Sequence, residues 1–144
     1  MSTMTIQERL RSVPIFAELS KAELRSISRL MTPTKIRKGR ALAKQGQIGR
    51  EFIVILEGEA KVERDGNTVA TLHEGDFLGE LSVLTGEPRI ANVVAATDMQ
   101  VQVLTRTELL ALLDSKPVVA KKMLMGILKR YREMRNSIRS ISQN

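Results

Sequence analysis

Between Gly75 and Val93 the chain reads Gly-Asp-Phe-Leu-Gly-Glu-Leu-Ser-Val-Leu-Thr-Gly-Glu-Pro-Arg-Ile-Ala-Asn-Val, and three of these residues have types and spacing that could hold a ligand. Gly79 follows a strand end at Phe77-Leu78. Lacking a Cβ, it lets the backbone approach a ligand closely. A turn of helix starting there leaves several N–H groups free to face an anion. Arg89 follows ten residues later, and its guanidinium fork could point at the same anion. Glu80 sits beside them, and its carboxylate repels phosphate, so in such a site it makes sense only as an acceptor for a hydroxyl. A phosphate cradle next to a hydroxyl acceptor describes a nucleotide or a sugar phosphate. The same residues also describe a surface loop with a Glu–Arg pair, and spacing alone does not separate the two readings.

Other chemistries are poorly supplied. With no cysteine there are no disulfides, thiolate metal sites or cysteine nucleophiles. The single histidine, His73, excludes any site needing two imidazoles and reads as an exposed turn residue beside Glu74. Ser82 has no base to activate it as a nucleophile. Asp76 and Glu80 lack the spacing of a metal loop, so no metal and no cofactor is expected. The seven methionines read as core filling. With no Trp, one Tyr and three Phe, the chain is poorly equipped to stack nucleic-acid bases. Nothing here supplies both a nucleophile and a general base, so the expectation is a binding protein and not an enzyme.

The elements that must position this segment can be read from hydrophobic period and turn chemistry. The 144 residues, 42% apolar and 27% charged, suit one soluble domain. Ile6, Leu10 and Val13 give a short helical stripe up to Pro14. Ser20 with Glu23 is a capping box opening a stripe of Leu24, Ile27, Leu30 and Met31, which Pro33 terminates. From Lys35 the period changes to short strands separated by glycines: Ala41–Lys44, a Gln45–Gly49 turn, Phe52–Leu56, Ala60–Arg64, Val69–Leu72, Ile90–Ala96 and Met99–Leu104. Asp65-Gly66 is a hairpin signal, since both residues tolerate positive φ. Thr105 with Glu108 forms a second capping box, and Pro117 suits the first turn of a last helix reaching about Ile141. The layout is helices over 1–34, a compact β unit over 35–105 and helices over 106–144, all one domain.

The net charge of +7 is unevenly placed. Residues 1–50 hold 11 Lys/Arg against 3 Asp/Glu, residues 51–117 hold 5 against 12, and residues 118–144 hold 7 against 1. A basic–acidic–basic order suggests ends packed near the middle at least as readily as a nucleic-acid or acidic-membrane surface. No apolar run is long enough to span a membrane and the N-terminus has no signal-peptide core, so a cytoplasmic location is expected. In the last helix Leu124, Ile127, Tyr131, Met134, Ile138 and Ile141 are spaced 3, 4, 3, 4, 3, a heptad seam that predicts a homodimer through a coiled coil. Flanking basic residues predict that this dimer is salt-sensitive.

Residues 79–93 resemble the phosphate-binding cassette of the cyclic nucleotide-binding domain family, which includes catabolite-activator regulators, regulatory subunits of cyclic-AMP-dependent protein kinase and cyclic-nucleotide-gated channels. The cassette there reads Gly-Glu-Leu/Ile-Ala/Ser, a short gap, then Arg and two small residues. The resemblance extends over nearly the whole chain. Val13-Pro14-Ile15-Phe16 resembles the family's helical entry, and Lys38-Gly39, Gln45-Gly46, Phe52–Val62 and Glu74–Phe77 fall where its strands and turns do. It implies an antiparallel jelly-roll β-barrel with flanking N-terminal helices and a long C-terminal helix. By similarity, Glu80 accepts from the ribose 2′-hydroxyl and Arg89 pairs with an exocyclic phosphate oxygen. Backbone N–H groups near Leu81, Ser82, Ile90 and Ala91 complete the cradle, beside Gly79. Val62, Val69 and Leu72 line the apolar wall, and Tyr131, Met134 and Arg135 form either part of a lid over the base, as the last helix does in the family, or simply a packing seam. One residue departs from the pattern. The position after the arginine is usually Ala, Ser or Thr and here is Ile90, which crowds the pocket mouth, supplies no hydroxyl and tilts the choice from cyclic GMP to cyclic AMP.

The expectation is a non-catalytic sensor that binds cyclic AMP and relays binding through the last helix. The readout would be an unidentified protein partner in trans or a further domain of a longer protein. Two other readings stand beside it: a DNA-associated transcription regulator, disfavoured without a further domain, and a structural dimerisation module with a degenerate pocket.

Overall fold

Helix starts in this chain are set by side chains that satisfy orphan N–H groups. In the computed structural model, which describes residues 5–79 and 85–142, helix α1 (Ile6–Arg11) starts after Thr5, whose hydroxyl accepts from the Glu8 N–H. A 3₁₀ turn, Pro14–Phe16, follows. Helix α2 (Lys21–Leu30) opens on the expected capping box: Ser20 accepts from the Glu23 N–H, and Glu23 accepts from the Ser20 N–H at 2.8 Å. Thr105 and Glu108 repeat the device at α3 (Arg106–Ser115). Such a cap is worth about 1 kcal/mol. Helix α4 (Pro117–Ser142) carries proline in its first turn, where the missing N–H costs nothing.

Among the described residues eight strands lie between α2 and α3: β1 (Thr32–Ile36), β2 (Ala41–Ala43), β3 (Glu51–Glu57), β4 (Ala60–Arg64), β5 (Asn67–Leu72), β6 (Phe77–Leu78), β7 (Asn92–Ala95) and β8 (Met99–Thr105). They form two four-stranded antiparallel sheets, ordered β1-β8-β3-β6 and β2-β7-β4-β5, the jelly-roll architecture that was expected. The β unit starts at Thr32 and not at Lys35. Pro33 ends the helical run and also sits within β1, opposite Gln102. An edge strand tolerates a residue that cannot donate a ladder bond. Asp65 and Gly66, both at positive φ, make the two-residue hairpin between Arg64 and Asn67.

Strand β3 is buried on both faces, and its alternation divides the interior. Ile53 and Ile55 face Val101, Val103, Val93 and Ala60 between the sheets. Phe52, Val54 and Leu56 face the helices and join Phe16, Leu24, Ile27, Leu112 and Met123. Helix α4 belongs to this second core through Val119, Met123 and Ile127, spaced 4 and 4 along one face. It lies so close to the 3₁₀ turn that a Cβ at Gly126 would be 2.7 Å from Ile15 Cα.

The heptad seam is therefore divided. Ile127 is in the domain's own core, whereas Leu124 is 49% and Tyr131 37% exposed. The side chains of Met134, Ile138 and Ile141 lie outside the described residues. Helix α4 carries two apolar rows, and the 3–4 spacing stepped from one to the other. The exposed row, Leu124 and Leu128 with Met125 and Tyr131 nearby, borders an apolar groove of about 350 Å³ against Phe52, Leu109 and Leu113. No helix among the described residues is long and apolar enough to cross a membrane.

Candidate functional site

Strand β6 delivers the chain to Gly79, whose φ of 94° is open to glycine alone without strain. Glu80, Leu81 and Ser82, assigned from the sequence to the ribose and the phosphate, lie outside the described residues. The chain is described again at Thr85 and reaches Arg89 through Pro88, which bridges to Ile48.

Arg89 is held at both its backbone and its side chain. Its N–H donates to the Gln47 carbonyl and its carbonyl accepts from the Gly46 N–H, both at 2.8 Å. The turn between β2 and β3 thus forms a short ladder with the arginine segment. The guanidinium is half-buried with its residue and threads between two glycines. A Cβ on Gly79 would be 2.6 Å from Arg89 Nη1, and one on Gly49 would be 2.6 Å from Arg89 Nη2. Nη2 donates to the Glu51 carbonyl at 2.9 Å, which fixes the orientation of the planar fork. An arginine oriented in this way has lost much of the side-chain entropy that binding an anion would otherwise cost. Gly79 and Arg89, ten residues apart in sequence, are brought into contact.

The rest of the cassette divides by face. Ala91 is buried, while Ile90 is 65% exposed, so its branched side chain stands mostly in solvent. Val62 and Leu72 pack on the edge of the inter-sheet core. Val69 does not join them. Val62 pairs with Ala70 and Glu63 with Thr68, which leaves Val69 as the extra residue of a bulge, 60% exposed. Arg135 is exposed on α4, and the Met134 side chain lies outside the described residues. His73 is exposed and faces Glu59 at 3.4 Å. Among the described residues no group of three His, Asp or Glu side chains could hold a metal ion.

Sequence reasoning missed Gly49 and the carbonyls of Gln47 and Glu51. The Gln45–Gly49 stretch was legible as a turn, but only the fold shows that it touches Arg89. Carbonyl ligation leaves no trace in residue type, and Gly49 does not have the positive φ that would mark it as a turn glycine. It is small because a guanidinium passes over it.

Helix α4 and the residue just before it, Lys116, both make polar contacts with α2. Lys122 Nζ donates to Glu23 Oε1 at 2.7 Å, and Lys116 Nζ donates to Ser26 Oγ at 3.1 Å. The Lys122 ammonium, helped by the Ser20 N–H, holds the Glu23 carboxyl below its ordinary range.

This fold and this cradle define a class: residues 33–116 match the cyclic nucleotide-binding domain, and the chain belongs to that family. It is 38% identical over 106 residues to the cAMP-dependent protein kinase regulatory subunit of Mycosarcoma maydis, covering 69% of this chain and 20% of that protein. It is 31% identical over 119 residues to a cyclic nucleotide-gated potassium channel of Rhizobium etli, covering 83% of this chain and 33% of the channel. A crystal structure of a cyclic nucleotide-binding domain from Methylobacillus flagellatus superposes with a TM-score of 0.80 at 30% identity, covering 92% of this chain and 80% of that one. The chain thus spans a fifth to a third of the length of these two curated relatives. The expected jelly roll and the expected family both stand.

Proposed function

We propose that this domain binds cyclic AMP and acts as a non-catalytic, cytoplasmic sensor with no cofactor. The observation that carries the reading is the Arg89 fork, held between Gly49 and Gly79 and oriented by the Glu51 carbonyl. In this reading Arg89 pairs with an exocyclic oxygen of the cyclic phosphate, and backbone N–H groups near Leu81, Ser82, Ile90 and Ala91 surround it. Glu80 accepts from the ribose 2′-hydroxyl, while Val62 and Leu72 border the sugar and base. Ile90 offers no hydroxyl to a guanine, which favours adenine.

Binding shifts α4, and the groove beside Leu124 gives that helix room to move. The exposed apolar row of α4 is then the surface for a second copy or for a protein partner. Calorimetry with cyclic AMP, cyclic GMP and linear AMP tests the reading, together with Arg89→Ala. Wild-type protein should prefer cyclic AMP, and the variant should stay folded and lose about ten- to a hundredfold in affinity, the worth of a hydrogen bond to a charged group. An unchanged dissociation constant removes Arg89 from the site. Sedimentation of the same samples at low and high salt reads self-association through α4, and a monomer throughout assigns the exposed row to a different partner.

A further inference from the structure

The backbone of Arg89 goes wherever the turn between β2 and β3 goes, because Gly46 and Gln47 take both its carbonyl and its N–H. What holds that turn therefore holds the arginine. Gln45 is an exposed polar residue of that turn, and its hydrogen bonds to Asn92 and Asp65 lead to other elements. Its backbone N–H donates to Asn92 Oδ1 at 2.7 Å. Its side-chain Nε2 donates to Asp65 Oδ1 at 3.2 Å, and its Oε1 accepts from the Asp65 N–H at 3.5 Å. Asn92 opens β7, three residues after Arg89. Asp65 sits at the tip of the β4–β5 hairpin with a φ of 52°.

The β4–β5 hairpin is attached to its sheet along one side only, since β5 is an edge strand, and its tip carries the Asp65-Gly66 turn. Val62, on the same hairpin, is a wall residue in the functional reading above. The hairpin and the arginine thus belong to opposite sides of one mouth, and Gln45 bonds to both.

We infer that Gln45, with Asn92 and Asp65, is the positioning residue for Arg89: a three-residue clamp that ties the β4–β5 hairpin to the arginine segment and sets how well the guanidinium is placed for an anionic ligand. This rests on the reading of Arg89 as the phosphate ligand. The clamp touches no ligand. It acts through the Gly46 and Gln47 backbone, and it makes affinity depend on a hairpin tip that a contact list for the ligand would leave out.

The test reads position and affinity separately in the whole chain. Hydrogen exchange of the Arg89 amide, followed by NMR without ligand, reports the bond to Gln47. Calorimetry with cyclic AMP reports the consequence. Gln45→Ala and Asp65→Gly should speed Arg89 exchange and weaken binding by about two- to tenfold, the worth of one or two solvent-exposed hydrogen bonds. Glycine is chosen at position 65 because alanine would add strain at positive φ. Asp65→Asn and Asn92→Asp, which keep the acceptor oxygens, should stay near wild type in both readouts, an outcome that a role in long-range charge would not give. Unchanged Arg89 exchange in Gln45→Ala and Asp65→Gly overturns the clamp. Faster exchange with unchanged affinity overturns its role in binding. If wild-type protein binds no cyclic nucleotide at all, the functional reading falls and the affinity part falls with it, while the exchange still decides whether Gln45 positions Arg89.

Discussion

The helix-facing core of this domain and the rim around Arg89 are built from different materials. The first is made of large side chains: Phe16, Phe52, Leu24, Ile27, Leu104 and Leu112 are at most 2% exposed. The second is made of glycines, carbonyls and one arginine. A core of large residues derives its stability from area removed from water and punishes any cavity. A rim of backbone contacts contributes little buried area but orients a charged group through directional hydrogen bonds. Stability and ligand placement are therefore carried by nearly separate sets of residues, and substitutions should affect one without the other.

The sharpest break of that comparison is Phe16→Ala. It empties a fully buried site and should cost about 3–5 kcal/mol in chemical denaturation, while the folded fraction keeps its affinity for cyclic AMP. A parallel loss of affinity in the folded protein would show that the two regions are not independent. Gly49→Ala should do the reverse. Its Cβ would collide with the Arg89 guanidinium, so affinity should fall about tenfold or more with little change in the melting temperature. Preserved affinity in that variant would mean the arginine can find its place without the glycine gap.

The smallest effect belongs to the contact that joins the N-terminal helices to α4. Glu23→Gln keeps the capping geometry and removes the charge paired with Lys122. The folded-state carboxyl is depressed, so its contribution is present above the ordinary Glu value and is lost as pH falls through the lowered one. The stability difference between wild type and Glu23→Gln should thus be level near neutrality and vanish in acid. A difference that grows on acidification would contradict the assigned cause.

Much of the architecture was legible because it is written in local signals. The capping boxes at Ser20 and Thr105, the Asp65-Gly66 hairpin and Pro117 each act within four residues, and all appear where the sequence puts them. Short apolar runs between glycine turns gave the strands, and the Gly79–Arg89 spacing marked two residues that the fold brings into contact. The misreadings arose where tertiary context decides. Val69 looked like a wall residue until the bulge displaced it, because a bulge depends on the partner strand. Ile127 looked like a coiled-coil residue because an apolar row toward one's own domain and a row toward a partner have the same period. The Gly49 gap had no local signal at all.

The pairing of β1 with β8 has a consequence for how the chain reaches this state. Thr32 lies opposite Val103, and Ile36 opposite Met99, so the sheet beside the helices joins segments separated by most of the β unit. Closing so long a loop before any of its contacts form is entropically costly and slows the search. During synthesis β1 emerges early and waits, with its backbone donors and acceptors unpaired, until β8 has followed. Pro33, the second residue of that waiting strand, deprives it of one donor and makes it a poorer template for a wrong partner. The residue that stops α2 thus also lowers the hazard of an unpaired edge.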